Sequence, residues 1–281
     1  MSLKLMYITN STDVACIAEA SGVDRIFVDM EYIGKSDRQG GMDTVQSHHT
    51  IEDIKAIRKV LTKSELLVRC NPIHRATDEY CSSKEEINRI IDAGADIIML
   101  PYFKTVEEVK IFLNLVDGRV KTFPLVETPE AVSLINEIIE LDGIDEIFVG
   151  LNDLRLGYKK RFMFEVLGDG TVERLCKQFA KKDIPYGFGG LASMRKGLLS
   201  AEYVIGEHYR LGSTSVILSR SFCNLRSVKN LDQVDMIFKR GVRAIREYEE
   251  YCKKQDSLFF EKNREVTVNI INNVSRMLNT K

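Results

Sequence analysis

The sequence has no excess of charge of either sign, since 40 Lys and Arg residues stand against 41 Asp and Glu residues over 281 positions. A chain without a net field has no general attraction for nucleic acid or for an anionic membrane surface. No window approaches the ~18 consecutive apolar residues that a membrane-spanning helix needs, and the first residues do not resemble a secretion leader. We therefore expect a cytoplasmic protein with no nucleic-acid or membrane partner.

Cysteine is present without any pairing pattern. The six cysteines include no Cys-x-x-Cys pair, and no histidine has the spacing of a structural zinc site. This absence argues against a disulfide framework and a zinc ribbon. Reduced thiols in a cytosol fit best.

What the sequence does contain is an alternation of short β-branched runs with longer segments of helical periodicity, from Lys4 to Ser219. This alternation is typical of repeated βα units and a parallel sheet. Runs such as Ile97-Ile-Met-Leu100 are apolar throughout, as expected of strands covered on both faces. The predicted strands are Lys4–Ile8, Arg25–Met30, Leu66–Cys70, Ile97–Leu100, Val120–Val126, Glu146–Val149, Pro185–Phe188 and Ser215–Leu218. Eight such strands predict a (β/α)8 TIM barrel.

Two further amphipathic segments follow the last strand, at Leu231–Cys252 and Phe259–Leu278. One helix completes a barrel, so the second must cover another surface. That surface is either a subunit interface, which would make residues 231–281 the contact of a homo-oligomer, or another part of the same chain. No linker rich in Gly, Pro or Ser precedes these helices, and we expect residues 1–281 to form a single domain.

Polar residues at the carboxyl ends of the strands are the functional candidates, because barrel active sites lie at that end. Glu127 ends the run Phe123-Pro-Leu-Val-Glu-Thr128, and Asp153 follows Ile147-Phe-Val149. Adjacent strands lie about 4.8 Å apart, so the two carboxylates could bind one Mg²⁺ or Mn²⁺ ion. The alternative is that both residues are helix-capping acids.

Other candidates have two interpretations each. Arg69 offers a fork of donors to a substrate carboxylate or enolate, or it pairs with Asp29 or Glu31 and holds the barrel rim. The run Gly187-Phe-Gly-Gly190 exposes backbone N–H groups to an anion, or permits a tight turn. Arg220 and the Lys159–Arg161 cluster could bind a second anionic end of the substrate, although the cluster also fits a solvated charge run.

Five segments occur in an order and spacing that point to a family. They are Phe27-Val-Asp-Met-Glu31, Val68-Arg69, Gly94-Ala-Asp-Ile-Ile-Met-Leu-Pro101, Pro124-Leu-Val-Glu-Thr128 and Val149-Gly-Leu-Asn-Asp-Leu154. Over residues 5–222 the chain thereby resembles the HpcH/HpaI aldolase and citrate lyase β-subunit family. The resemblance implies a metal-dependent barrel of the phosphoenolpyruvate/pyruvate superfamily that makes or breaks a carbon–carbon bond beside a pyruvate-like enolate. It also implies Glu127 and Asp153 as metal ligands and Arg69 as the enolate-binding arginine.

One departure concerns the proton route. The 2-oxo-acid aldolases of that family carry Asp-x-Glu-His, with the histidine as acid and base, where this chain has Asp29-Met-Glu31-Tyr32. A tyrosine phenol titrates near pH 10 and does not simply inherit that role. His49, in a long polar stretch between Glu31 and Thr50, could supply the base. His48, His74 and a metal-bound water near Asp29 or Glu31 are the alternatives.

Together these features predict a divalent-metal-dependent carbon–carbon lyase, a class II aldolase, that acts on a 2-oxo acid with an aldehyde partner. The predicted catalytic residues are Arg69, Asp29 and His49, the metal ligands are Glu127 and Asp153, and the substrate-binding residues are Glu31, Gly189, Gly190 and Arg220. No lysine at a strand end suggests a Schiff-base route. Two alternatives remain: an acyl-CoA lyase or thioesterase of the malyl-CoA type, and a non-catalytic barrel that binds a metal or small acid.

Overall fold

Eight parallel strands close into a barrel in the order in which they occur in the sequence. They are β1 (Lys4–Ile8), β2 (Arg25–Asp29), β3 (Glu65–Arg69), β4 (Ile97–Leu100), β5 (Lys121–Val126), β6 (Ile147–Val149), β7 (Tyr186–Leu191) and β8 (Ser215–Leu218). This computed structural model describes residues 2–35 and 47–279. The predicted (β/α)8 barrel is confirmed.

Helices surround the barrel, and several begin with a side-chain cap. One of them begins at Thr128-Pro129, where Thr128 Oγ1 accepts a hydrogen bond from the Ala131 N–H at 3.1 Å. The helices of the described residues are α1 (Thr12–Ala20), α2 (Ile51–Val60), α3 (Ser83–Asp92), α4 (Val106–Val116), α5 (Pro129–Ser133), α6 (Ile135–Ile138), α7 (Leu151–Gly157), α8 (Glu165–Gly168), α9 (Thr171–Lys181), α10 (Ala201–Leu211), α11 (Leu231–Cys252) and α12 (Ser257–Asn279).

The seventh strand is the one whose predicted bounds are wrong by more than one residue. The sequence predicts Pro185–Phe188, but β7 continues to Leu191, so Gly189 and Gly190 lie within the strand rather than after it. Gly187 pairs with Ser215 and Gly190 with Ile217, so β7 bulges against β8. A Cβ atom at Gly187 would collide with the Ser215 backbone oxygen, and Gly189 has a φ of +65°. A bulged, closely packed strand therefore needs the glycines that the sequence presents as a loop.

Alternate strand residues fill the barrel interior. Phe27, Leu67 and Leu125 belong to an interior apolar cluster and are at most 3% exposed. Successive side chains of a strand point to opposite faces, so the residues two positions further on face the same interior. Those residues are Asp29, Arg69 and, just beyond β5, Glu127. The strand period therefore brings three predicted functional residues to the open end of the barrel.

The amino end of the barrel is closed by a buried ion-pair network. Arg25 is fully buried, with its Nη1 2.9 Å from Glu146 Oε2 and its Nε 2.8 Å from Glu65 Oε2. The guanidinium also lies over the Phe123 ring, 5.6 Å from its centroid. A ligand therefore reaches the interior from the carboxyl end.

The two C-terminal helices pack on helices of the same chain, α11 on α1 and α10, and α12 on α10 and α8. A Cβ atom at Gly206 would lie 2.6 Å from the Asn263 amide, so the glycine permits close approach of α10 and α12. Asn263 Nδ2 donates to Glu207 Oε1 at 3.1 Å, and Arg264 Nη1 donates to the Leu167 backbone oxygen at 2.8 Å. Packing within the chain thus accounts for the buried face of α12, while assembly through residues 231–281 stays a prediction. Within the described residues, no helix is long and apolar enough to cross a membrane.

One buried histidine lies between α10 and β7. The His208 ring is fully buried and stacks on Phe188, with centroids 3.8 Å apart and planes 5° apart. Its Nδ1 lies 2.7 Å from Ser213 Oγ. Burial lowers the pKa of His208 to about 3. The folded protein therefore keeps this ring neutral at pH values where an unfolded histidine binds a proton.

We expect His208 to destabilise the fold in acid. Below about pH 6.5 the unfolded state binds a proton that the folded state does not, which costs about 1.4 kcal/mol per pH unit down to the folded pKa. The free energy of unfolding, measured in urea, should fall faster with decreasing pH for the parent than for His208→Gln. Between about pH 6 and 4 the difference should grow by roughly that slope. The exposed His48 is the control, and His48→Gln should follow the parent. Parallel curves for the parent and His208→Gln would contradict this assignment.

Candidate active site at the carboxyl end of the barrel

A cavity of about 460 Å³ opens at the carboxyl end of the barrel. Nearly all of the predicted functional residues line it: Asp29, His49, Arg69, Glu127, Asp153, Gly189, Gly190 and Arg220. A larger groove of about 1030 Å³ lies at the amino ends of β3, β4 and β5. Charged side chains in that groove pair with one another, as Arg58 does with Asp96 at 2.7 Å, and barrel chemistry occurs at the opposite end. The cavity at the carboxyl end is therefore the candidate active site.

Asp29 and Arg69 form a two-pronged ion pair across β2 and β3, where they are register partners. Arg69 Nε and Nη2 donate to Asp29 Oδ1 and Oδ2, both at 2.8 Å. Burial would raise the pKa of Asp29, but the Arg69 guanidinium and the Lys35 ammonium outweigh it and hold that pKa well below its usual range. The pairing with Asp29, which is one of the two interpretations of Arg69 given by the sequence, is thus present. Arg69 also lines the cavity, so the pairing does not remove it from the site.

Lys35 is a site residue that the sequence analysis missed. Its side chain is 5% exposed, with Nζ 2.9 Å from Asp29 Oδ2 and 3.3 Å from Glu31 Oε2. It also lines the cavity. Lys35 lies beyond a turn after β2, so it does not occupy a strand end and the strand pattern does not identify it as a site residue. The sequence feature that links Lys35 to the site is its four-residue spacing from Glu31. An ammonium held by two carboxylates is suited to charge balance rather than to Schiff-base formation.

The sequence predicts Glu31 as a substrate-binding residue, but the structure does not place it in the cavity. It is fully buried, does not line the cavity, and lies 3.3 Å from Arg69 Nη1 through Oε2. The chain just after Glu31 is held by Asn71, whose Oδ1 accepts hydrogen bonds from the Tyr32 and Ile33 N–H groups, both at 3.0 Å. Glu31 therefore supports Arg69 and Lys35 from within the protein.

Glu127 lies immediately beyond β5 and is 3% exposed. Its Oε1 accepts a hydrogen bond from the Tyr102 N–H at 3.0 Å. Val126 pairs with Val149, which sets Gly150 beside Glu127, and a Cβ atom at Gly150 would lie 2.7 Å from Glu127 Oε2. Glycine at position 150 therefore leaves the space that the Glu127 carboxylate needs in the mouth. Tyr102 and Gly150 are further residues on which the site depends.

Asp153 belongs to the first turn of α7, is 7% exposed and lines the same cavity. Within residues 2–35 and 47–279, no group of three or more His, Cys, Asp or Glu is placed to hold a metal ion. A closed zinc site is therefore not found there. Mg²⁺ and Mn²⁺ take one or two carboxylates and complete their coordination with water and substrate oxygens. The Glu127 and Asp153 carboxylates, which line one cavity, are the candidate ligands of such an ion.

His49 borders the cavity just before α2. Its Nδ1 accepts a hydrogen bond from the Asp29 backbone N–H at 3.0 Å. Burial is the main influence that lowers its pKa below the ordinary value. Residues 36–46 of the long polar stretch lie outside the described residues, and His48 is exposed and does not line the cavity.

Two residues that the sequence analysis weighs for the proton route lie away from the mouth. His74 Nδ1 and Nε2 lie 2.7 Å and 2.8 Å from the backbone oxygens of Pro72 and Cys81, so this ring holds its own loop together. Tyr32 is 40% exposed and packs edge-on against Tyr80. Neither His74 nor Tyr32 lines the cavity.

The Lys159–Arg161 cluster does not line the cavity either. Lys160 Nζ pairs with Asp169 Oδ2 at 3.0 Å, and Arg161 Nη1 donates to the Leu278 backbone oxygen at 2.5 Å. These contacts fix the segment before α8 and the end of α12. These contacts favour the alternative that the cluster is a charged run at the surface, whereas Arg220 lies at the exposed rim of the cavity.

Solved structures share this architecture at low sequence identity. An HpcH/HpaI aldolase from Desulfitobacterium hafniense DCB-2 matches with a TM-score of 0.57 and 15% identity, over 88% of this chain and 93% of that chain. An HpcH/HpaI aldolase/citrate lyase family protein from Burkholderia cenocepacia J2315 matches with a TM-score of 0.57 and 14% identity, over 88% and 94%. A tryptophan synthase from M. tuberculosis also reaches a TM-score of 0.57 at 14% identity, over 87% and 94%. These similarities show the fold alone.

The search of curated proteins found no match to this sequence. A family model, however, identifies the family. The family model described as HpcH/HpaI aldolase/citrate lyase matches residues 4–164, which is more than half of the chain and includes β1 to β6 with Asp29, Arg69, Glu127 and Asp153. The chain therefore belongs to the HpcH/HpaI aldolase/citrate lyase family of aldolase- and lyase-type enzymes.

Proposed function

We propose that this protein is a divalent-metal-dependent carbon–carbon lyase of the class II aldolase type, which acts on a 2-oxo acid through a pyruvate-type enolate. The observation that carries the proposal is the pair of buried carboxylates, Glu127 and Asp153, in the cavity that Arg69 also lines. The family is one of aldolases and lyases, and the carboxylate pair adds the expectation of a metal.

The charge balance at the mouth supports a bound cation. The buried carboxylates are Asp29, Glu31, Glu127 and Asp153, and the cations packed among them are Lys35 and Arg69. A divalent cation at Glu127 and Asp153 would add positive charge where two buried carboxylates line one cavity, and compensation of this kind stabilises buried charge of one sign.

Arg69 is suited to hold the carboxylate or keto oxygen of the 2-oxo acid. A guanidinium has five N–H donors, of which Asp29 takes two and Glu31 approaches a third. The remaining donors can bind oxygen in the cavity that Arg69 lines. Because Asp29 fixes the guanidinium plane before substrate arrives, little reorganisation is needed when negative charge develops.

The surroundings of the pair complete the proposed site. A bound divalent cation supplies a Lewis acid that polarises the keto group and stabilises enolate charge. Apolar walls, including Leu125 and Phe148, limit water and strengthen the interactions of Arg69 with a charged oxygen. Gly189 and Gly190 on β7, and Arg220 just beyond β8, are proposed to contact the second half of the substrate, an aldehyde.

The metal site can be tested without turnover. Mn²⁺ or Mg²⁺ together with oxalate, an enolate mimic, should raise the melting temperature, since about 100 Kd of a ligand stabilises the fold by about 2.7 kcal/mol. Glu127→Gln should abolish the shift because one ligand oxygen is lost. Glu130→Gln is the matched control, since Glu130 is a nearby exposed acid that pairs with Lys104, and it should keep the shift. No shift in the parent protein would reject the metal site.

Enolisation is tested by deuterium exchange of the pyruvate methyl group, followed by NMR with and without a chelator. We expect exchange that requires the metal, and a loss of about 10²-fold or more in Arg69→Lys, which keeps the charge but not the fork of donors. Arg89→Lys, at an exposed pair with Glu85, should exchange like the parent. The melting temperature of each variant separates lost chemistry from lost folding. Exchange that is absent, or indifferent to the chelator, would favour the acyl-CoA or non-catalytic alternatives.

A further inference from the structure

The position of His49 in the mouth is set by a helix cap. His49 directly precedes Thr50, which begins α2 in a reciprocal capping box: the Thr50 N–H donates to Asp53 Oδ2 at 2.7 Å, and the Asp53 N–H donates to Thr50 Oγ1 at 3.2 Å. These two bonds fix the backbone next to His49. The imidazole therefore enters the cavity from a defined direction.

The protonation of the ring follows from its partner. His49 Nδ1 lies 3.0 Å from the Asp29 backbone nitrogen, and a backbone N–H can only donate. Nδ1 must therefore present its lone pair. A neutral imidazole with a lone pair on Nδ1 carries its single proton on Nε2.

The surroundings also favour the neutral ring. Burial lowers the pKa of His49, and Lys35 and His48 act in the same direction, while Asp29 and Asp53 act against them without overcoming the effect. An imidazolium would also carry a hydrogen on Nδ1, which would point at the Asp29 N–H and break that bond. Geometry and environment thus agree on one form.

A ring in this form has no lone pair on Nε2 with which to take a proton from a substrate hydroxyl. We propose that His49 contacts the substrate as a neutral hydrogen-bond donor through Nε2–H, and that its ligand is a substrate oxygen with lone pairs, such as a keto or aldehyde oxygen. This proposal rests on the proposed function, and it changes the role of His49 from base to donor. The proton stays on Nε2 throughout, so His49 stabilises negative charge on the oxygen without transferring a proton.

The tautomer can be measured in the ligand-free protein. Histidine is present at four positions, His48, His49, His74 and His208, so ¹⁵N-histidine labelling gives a spectrum simple enough to assign by comparison with His49→Gln and His48→Gln. At neutral pH the His49 ring should show a protonated Nε2 and an unprotonated Nδ1. A proton on Nδ1 alone, or on both nitrogens, would overturn the proposal. This readout does not depend on any reaction and therefore stands even if the pyruvate exchange test fails.

Variants provide the second arm. Glutamine can place an amide N–H near the position of Nε2 and cannot act as a base, so His49→Gln should retain metal-dependent pyruvate exchange within about 10-fold of the parent, whereas His49→Ala should lose about 10²-fold or more. His48→Gln, at the exposed neighbour, should match the parent. Equal losses in His49→Gln and His49→Ala, with melting temperatures like that of the parent, would identify His49 as a base and contradict the donor role.

Discussion

The two-pronged ion pair between Asp29 and Arg69 is the interaction on which the arrangement of the mouth depends. The Asp29 carboxylate also binds Lys35, and its backbone N–H binds His49, so one residue at the end of β2 fixes a guanidinium, an ammonium and an imidazole. Closure of the barrel makes this possible, because it brings the carboxyl ends of all strands to one ring. Each buried charge is stable there because its partner was positioned by the same fold.

The carboxylates on the other side of the ring have a different environment. Glu127 is oriented by a backbone N–H and given space by Gly150, while Asp153 enters from the first turn of α7. Lys35 and Arg69 pair with Asp29 and Glu31, and the side of the cavity formed by β5 and β6 presents the Glu127 and Asp153 carboxylates, the proposed metal ligands. A 2-oxo acid has oxygens that suit both sides, a metal-chelating face and a carboxylate or keto oxygen for Arg69. This division of the mouth is the physical basis of the proposed enolate chemistry.

The sequence predicted the barrel and most of the site because both follow strong local rules. Strand period and strand ends placed Asp29, Arg69, Glu127 and Asp153 correctly in one cavity. Lys35 was missed because a turn, which no periodicity describes, returns it to Asp29. The extent of β7 was underestimated because its glycines serve a bulge rather than a loop. The sequence leaves open what α12 packs against. The reason is that the buried face of α12 includes the polar residues Asn263 and Thr267, and the spacing of hydrophobic residues does not identify such a face.

The proposed chemistry requires that Glu127 and Asp153 jointly bind one cation beside Arg69. The most direct measurement is anomalous diffraction from crystals grown with Mn²⁺ and oxalate, which locates the metal without reference to activity. We expect a single strong peak about 2.1 Å from one oxygen of each carboxylate, with oxalate between the ion and Arg69. A peak bound by just one of the two carboxylates, or no peak in the cavity, would contradict it.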